Sequence, residues 1–145
     1  MTHETLKTFG YPATLVHEYE HWCVLLRPAQ VTLGSLVLIC KENATQFADI
    51  SEGAFAEMKQ VVGDIETGLK SFRPWQKINY LALMMVDPQV HFHIIPRYSA
   101  DQEFAGVSFK DAGWPAVPQL GEALTPEPVV FDQLLQAVKS GWRDV

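Results

Sequence analysis

The sequence has few cysteines, and it lacks any long apolar run. Cys23 and Cys40 each stand alone in an apolar stretch, which indicates two buried thiols in a reducing compartment rather than a disulfide framework or a metal site. No apolar run reaches the length of a membrane span, and the first ten residues lack the basic and apolar pattern of a secretory leader. We therefore expect a cytoplasmic protein that does not bind membranes.

Positive charge is also scarce. The chain has 11 Lys and Arg against 17 Asp and Glu, a formal net charge of -6, and its basic residues do not cluster. A nucleic-acid surface needs a basic patch to neutralise phosphates, so the composition argues against nucleic-acid binding. A small anionic ligand stays possible, because one or two cations in a pocket are enough to hold it.

The hydrophobic pattern indicates successive strands and two main helices. Three short runs, ATLVHEY, HWCVLLR and GSLVLICK, predict antiparallel strands, and apolar residues at spacings of three and four predict a helix from Ser51 to just before Pro74. The runs KINYLALMM and QVHFHIIPR predict a hairpin with a very tight connection at Val86-Asp87-Pro88. After an irregular segment, VVFDQLLQAV predicts a closing helix.

This order of elements predicts an α+β fold in which helices pack on one side of a mostly antiparallel five-stranded sheet. The length suits a single core. We expect one domain over residues 1–145, with its core at about 12–97 and an irregular segment with the closing helix over 98–145.

The stretch QVHFHIIPR carries the chemistry. On a strand, Gln89, His91 and His93 share one face, while the alternating apolar residues face the core. The two histidines can be ordinary hydrogen-bonded residues, two ligands of a zinc ion, or a nucleophile with a neighbour that binds developing charge. A catalytic zinc ion needs a third protein ligand, which the neighbouring sequence does not supply, so zinc hydrolysis is the weakest of the three.

A second motif, HEYEH at His17 to His21, matches the HExxH pattern of zinc peptidases. That pattern binds zinc only on a helix, where positions four apart share a face. The flanking residues are strand-like, so we interpret HEYEH as a polar turn between two strands.

The segment QVHFHIIPR resembles the signature of the histidine triad (HIT) family, His-x-His-x-His, with Gln89 in the first position. The segment HWCVLLRPAQVTLGSLVLICKENATQFADIS resembles the strands that precede it in that family, including Gly34 of its Gly-His turn. The resemblance covers about residues 12–97. It implies a homodimeric nucleotidyl hydrolase or transferase that acts on nucleoside phosphoramidates, dinucleoside polyphosphates or related conjugates without a metal cofactor. His91 would be the nucleophile, forming a nucleotidyl-histidine, and His93 would bind the phosphate oxygens.

The departures from the family pattern concern the candidate substrate-binding residues Gln89, Ser35 and Arg27. Ser35 follows Gly34 where the family usually has His, and the resemblance implies that Ser35 and Gln89 are neighbours that were exchanged together. Arg27 stands where many members have Asn or Asp for the ribose. These changes and the short 86–88 connection leave open a nucleotide-binding regulatory protein with little or no turnover.

Two further expectations concern packing. Trp114 is expected to cover the core rather than to stack on a base. The run INYLALMM is apolar on both faces of a strand, and a chain with few helices has little with which to cover it, so we expect a homodimer.

Overall fold

The computed structural model describes residues 2–144. Their main elements, in chain order, are α1 (Glu4–Thr8), β1 (Leu15–Glu18), β2 (Trp22–Leu26), β3 (Leu36–Cys40), α2 (Glu52–Phe72), β4 (Lys77–Leu81), β5 (His91–Arg97), β6 (Gln102–Phe104), β7 (Val107–Phe109) and α3 (Pro128–Ser140). Short 3₁₀ turns lie at Phe47–Asp49 and Gly141–Asp144. None of the helices is long and apolar enough to span a membrane within these residues.

Strands β1 to β5 form one antiparallel sheet with the order β1-β2-β3-β5-β4. This confirms the predicted α+β fold with a five-stranded sheet. Strand β5 lies between β3 and β4, with Val37 opposite one side of His93 and Leu81 opposite the other. The histidine strand is therefore held by ladders on both edges, which makes it a rigid support for a site.

The two faces of the sheet are covered differently. Helices α2 and α3 pack together on one face, as predicted, over a core that includes Trp22, Leu38 and Ile94. Ser51 caps α2 by accepting a hydrogen bond from the Ala54 amide. The other face carries a smaller cluster in which Leu6 of helix α1, which the sequence did not predict, contacts the β2 and β3 side chains.

The connection between β4 and β5 is longer than predicted. The hairpin pairing itself is confirmed, but its ladder ends at the Leu81–His93 pair, so the loop spans residues 82–90 rather than a tight turn at 86–88. Met84 has a positive φ of 44°, and Pro88 has no N–H to donate to a ladder, so neither favours continued pairing. Apolar side chains that were assigned to the strand lie instead in an exposed loop, with Met85 83% exposed.

Two smaller predictions are confirmed. His17 and Glu18 lie in β1 and the next residues turn into β2, so HEYEH is a turn between strands and not a helical metal motif. Cys23 and Cys40 are buried free thiols. They belong to the clusters on opposite faces of the sheet, and burial raises the pKa of both thiols, Cys23 to about 12 and Cys40 to about 11.

Candidate active site

The two histidines of β5 lie side by side on the face that carries α1. Their rings meet edge to face with centroids 5.1 Å apart, and Phe9, just after α1, lies 5.9 Å from each ring. Phe92 lies on the opposite face, against the main core. The alternation predicted from the sequence therefore brings both imidazoles to one place, and both are buried, with 2% of His91 and 6% of His93 exposed.

The orientation of the His91 ring selects its reactive nitrogen. Nδ1 lies 2.7 Å from the main-chain carbonyl oxygen of Gln89. A carbonyl oxygen only accepts hydrogen bonds, so Nδ1 carries the proton and donates it. In the neutral imidazole the lone pair is then on Nε2, which is the arrangement that a nucleophilic histidine needs.

His93 has a different environment. Burial, with smaller contributions from the charges of Arg27 and His91, lowers the pKa of His93 to about 4. Its ring is therefore neutral near pH 7. Its Nδ1 is buried without a hydrogen-bond partner among the described residues, which is unusual because such groups cost about 1–3 kcal/mol.

Arg27 follows β2 and supplies the nearby cation. One of its Nη atoms donates to the carbonyl oxygen of Ala29, while its Nε is buried and unpartnered within residues 2–144. Burial lowers the pKa of Arg27, and the charge of Asp87 opposes that shift. The guanidinium remains charged and is only partly engaged, so it can donate to an anion beside His93.

These groups surround one cavity of about 380 Å³, a size suited to a small molecule. Its lining combines apolar side chains with polar and charged ones. The lining consists of Thr8, Phe9, Arg27, Leu83, Met85, Val86, Asp87, His91, His93 and Leu120. Thr8, Phe9 and Leu120 were not predicted as site residues, because each lies far along the chain from the histidines and in no recognisable motif.

Gln89, which the sequence predicted to bind substrate, does not line this cavity. Only 7% of Gln89 is exposed. Its Oε1 accepts hydrogen bonds from the amide and the hydroxyl of Thr5, and its Nε2 donates to Asn43. The side chain is thus occupied by the protein itself.

Ser35, which the sequence also predicted to bind substrate, does not line this cavity either. It is fully buried, and its hydroxyl donates to the carbonyl oxygen of Thr32 and accepts from the Thr32 amide. The expected contact between Ser35 and Gln89 is wrong. Leu36, next to Ser35, pairs with Ile94, which is five residues or roughly 16 Å along the strand from Gln89.

The remaining candidates divide between two places. Arg27 lines the cavity, and so does Asp87, which lies in the 82–90 loop. Trp114 lies in a groove beside β4, together with Tyr80 and Arg97, and not in the histidine cavity. For zinc, residues 2–144 bring no group of three His, Cys, Asp or Glu side chains close enough to hold a metal ion.

Comparisons with known proteins identify similar folds among solved structures. No family model and no curated protein matches the sequence. The fold does match solved structures. A histidine triad protein from Sinorhizobium meliloti is 18% identical with a TM-score of 0.75 and coverage of 97% of this chain and 96% of that one.

Two further structures agree. A hypothetical histidine triad nucleotide-binding protein from Sulfolobus tokodaii is 22% identical, with a TM-score of 0.72 over 90% of this chain and 84% of that one. A zinc-bound histidine triad family protein from Mycobacterium smegmatis is 19% identical, with a TM-score of 0.61 over 89% and 85% of the two chains. This chain therefore has the fold of the histidine triad proteins.

Proposed function

We propose that this protein belongs to the histidine triad family and is a nucleotidyl hydrolase or transferase acting through a nucleotidyl-His91 intermediate. The observation that carries the proposal is the bond from His91 Nδ1 to the Gln89 carbonyl, which leaves Nε2 free inside a cavity that also holds a partly engaged arginine. The similar fold of a protein described as nucleotide-binding supports the ligand class. The proposed substrates are those that the family resemblance implies: nucleoside phosphoramidates, dinucleoside polyphosphates and related conjugates.

The reaction has two displacements at one phosphorus atom. Nε2 of His91 attacks the α-phosphate, a P–N bond forms, and the bond from phosphorus to the leaving group breaks. Asp87, a carboxyl group in the lining, is our candidate for the acid that protonates the leaving atom. Water then gives a proton to the Asp87 carboxylate and attacks the nucleotidyl-histidine, the P–N bond breaks, and a nucleoside monophosphate and the neutral imidazole are released.

Arg27 and His93 act on the phosphate oxygens. Arg27 places a positive charge where negative charge develops during each displacement, which is the interaction that accelerates such reactions most. The neutral His93 can donate one N–H to an oxygen of the phosphate. An anion bound there would also give partners to buried nitrogens that have none in the described part of the chain.

A second function, nucleotide binding without turnover, is favoured by Gln89. At the first position of the triad this residue is not titratable, and its side chain is bonded to Thr5 and Asn43 rather than to the site. A regulatory protein would keep the cavity and its affinity for nucleotides but would not form a covalent intermediate.

Product analysis with two substrates separates these functions. A diadenosine polyphosphate and an adenosine phosphoramidate are incubated with the protein in water containing methanol. A shared adenylyl-His91 intermediate predicts the same ratio of methyl ester to AMP from both substrates, since the leaving group has gone before the acceptor attacks. His91→Ala should abolish both products, His93→Ala should leave measurable activity, and His17→Ala, on the exposed part of β1, should match the wild type. Binding of AMP without any product would instead establish the regulatory function.

We also propose that the protein is a homodimer. Strand β4 is at the edge of the sheet, so one side of it is free to pair within the described chain. Beside it, Phe47 and Phe55 are exposed by 39% and 42% and contact each other. Phe47 also borders an apolar depression that is lined by Tyr80 of β4 and Phe92 of β5. Light scattering at micromolar concentration should give twice the monomer mass, and a monomer would contradict this proposal.

A further inference from the structure

Helix α1 forms one wall of the candidate active site. Thr8, its last residue, and Phe9, which follows it, line the cavity, and the Phe9 ring contacts both histidines. A helix of five residues has little stability of its own, because helix nucleation is unfavourable and so few residues cannot offset it. Its position therefore depends on contacts with the rest of the protein.

Two long-range sets of hydrogen bonds hold α1, in addition to the packing of Leu6 on the sheet. At its start, the His3 ring lies between the helix and the sheet, with Nε2 2.7 Å from the carbonyl oxygen of Cys40 and Nδ1 accepting from the Leu6 amide. In its first turn, Thr5 is fully buried and bonded to Gln89. The Gln89 contact bonds the helix to the residues that immediately precede β5.

The Thr5–Gln89 contact uses both the main chain and the side chain of each residue. The Thr5 hydroxyl donates to Gln89 Oε1 at 2.6 Å and accepts from the Gln89 amide at 3.2 Å, while the Thr5 amide also donates to Oε1 at 3.1 Å. Gln89 Nε2 donates to Asn43 at 2.8 Å, which fixes the orientation of its amide group. Glutamine suits this position because one side chain must accept from the helix and donate to Asn43.

The same residue also holds the nucleophile, since its carbonyl oxygen accepts the proton of His91 Nδ1. We propose that Gln89 is a positioning residue that sets two parts of the site together: the His91 ring through its main chain, and the Phe9 wall through Thr5. The catalytic part of this inference rests on the proposed function, whereas the positioning part does not. The role of Gln89 is thus to hold the geometry of the site and not to contact substrate.

The test removes only the Thr5 hydroxyl. Thr5→Val should loosen α1 and move Phe9, while Thr5→Ser, which keeps the hydroxyl, should behave as the wild type. Thr32→Val is the matched control: Thr32 is equally buried and its hydroxyl is bonded to the carbonyl oxygen of Pro96, away from the cavity. All variants are compared as full-length protein with measured melting temperatures.

The first readout needs no activity. Phe9 shifts the NMR signals of the His91 and His93 ring C–H groups through its ring current, so we expect these signals to move in Thr5→Val and to stay in Thr5→Ser and Thr32→Val. Amide exchange in α1 should speed up in the same variant. If the histidine signals do not move in Thr5→Val, the proposal is overturned, whatever the wild type catalyses.

The second readout is kinetic. In single-turnover experiments with adenosine phosphoramidate, Thr5→Val should slow nucleotidyl transfer about 10-fold, because small misplacements of reacting groups have effects of this order. A normal rate in Thr5→Val would contradict the catalytic part. The histidine signals could shift in Thr5→Val while the wild type shows no nucleotidyl transfer. That result would show that the proposed function fails and that the positioning role stands.

A milder variant covers the case in which Thr5→Val does not fold. Asn43→Ala removes the partner of Gln89 Nε2 at an exposed residue. We expect it to move the same histidine signals by a smaller amount. Unchanged signals in a folded Asn43→Ala protein would overturn the proposal in that case.

Discussion

Strand β5 carries buried polar side chains at both ends, but only those at one end have their hydrogen bonds complete. At the far end, Arg97 uses Nε and one Nη on Asp111 and the other Nη on Asn79, at 2.7 to 2.9 Å. Nearer the start of β5, Nδ1 of His93 is buried without a partner in the part of the chain that the structure describes. The same holds for Nε of Arg27, which follows β2 and lines the same cavity.

The two ends therefore serve different purposes. The Arg97–Asp111 pair satisfies its own charges and fixes the chain after β5, since Asp111 also accepts from the Tyr98 amide. The cation and the neutral imidazole at the other end leave capacity for an outside ligand. Buried polar groups that lack protein partners are rare in native structures, and a catalytic role or a bound water or ion is among the explanations for them.

The largest effect is expected at the paired end. Asp111→Ala leaves Arg97 as an uncompensated buried charge, and breaking such a pair costs about 3–5 kcal/mol of unfolding free energy. Urea unfolding measures the loss. Lys41→Met is the matched control, because it breaks a more exposed ion pair with Glu18 and should cost no more than about 1 kcal/mol. A loss of similar size in both variants would contradict the structural role assigned to Arg97.

The second prediction concerns stability in acid. The pKa of His93 is about 4 in the folded protein against 6.5 for the free side chain, so the unfolded chain binds more protons between these values. Stability from this group is complete above pH 6.5 and is lost as the pH falls to 4. The loss reaches about 3 kcal/mol, since each pKa unit corresponds to about 1.4 kcal/mol.

Two variants assign this acid effect. His93→Gln should flatten that part of the stability profile, and His17→Gln, at an exposed histidine, should keep it. Removing the charge of Arg27 should reduce the effect, because that charge contributes to the lowered pKa of His93. A profile that keeps its full slope in His93→Gln would show that another group is responsible.

The smallest effect is expected on ligand affinity. Arg27→Met keeps the length of the side chain and removes its charge, so AMP should bind about 10- to 100-fold more weakly, given about 1.5–3 kcal/mol for a charged hydrogen bond. Calorimetry at fixed ionic strength measures the change. Arg73→Met is the control, because Arg73 bonds the Glu103 carbonyl outside the cavity. Equal affinities in wild type and Arg27→Met would remove Arg27 from the site.

Most of the sheet and both long helices were predictable because their patterns are local. Short runs of apolar residues mark β1 to β3, and the spacing of apolar residues marks α2 from Ser51. Helix α1 was missed because five residues are too few to show a period. The 82–90 loop was missed because an apolar composition does not distinguish a strand from an exposed loop.

The histidine pair was predictable for the same reason, because residues two positions apart on a strand share a face. The role of Gln89 was not, since its partner Thr5 is 84 positions away along the chain and lies in an unpredicted helix. The hydrogen-bond partner of Ser35, Thr32, was missed although it is three positions away in the chain, because the family resemblance implied a contact with Gln89 instead. Positions in a motif can thus be recognised without showing which groups they contact.

Trapping the covalent intermediate tests whether His91 is the nucleophile. The protein is mixed with a nucleotide conjugate radiolabelled at the α-phosphate, quenched in denaturant during turnover, digested and analysed by mass spectrometry. We expect an acid-labile, base-stable nucleotidyl group on the peptide that contains His91, and none in His91→Ala. Substrate hydrolysis by the wild type without this adduct, or normal turnover by His91→Ala, would contradict the claim.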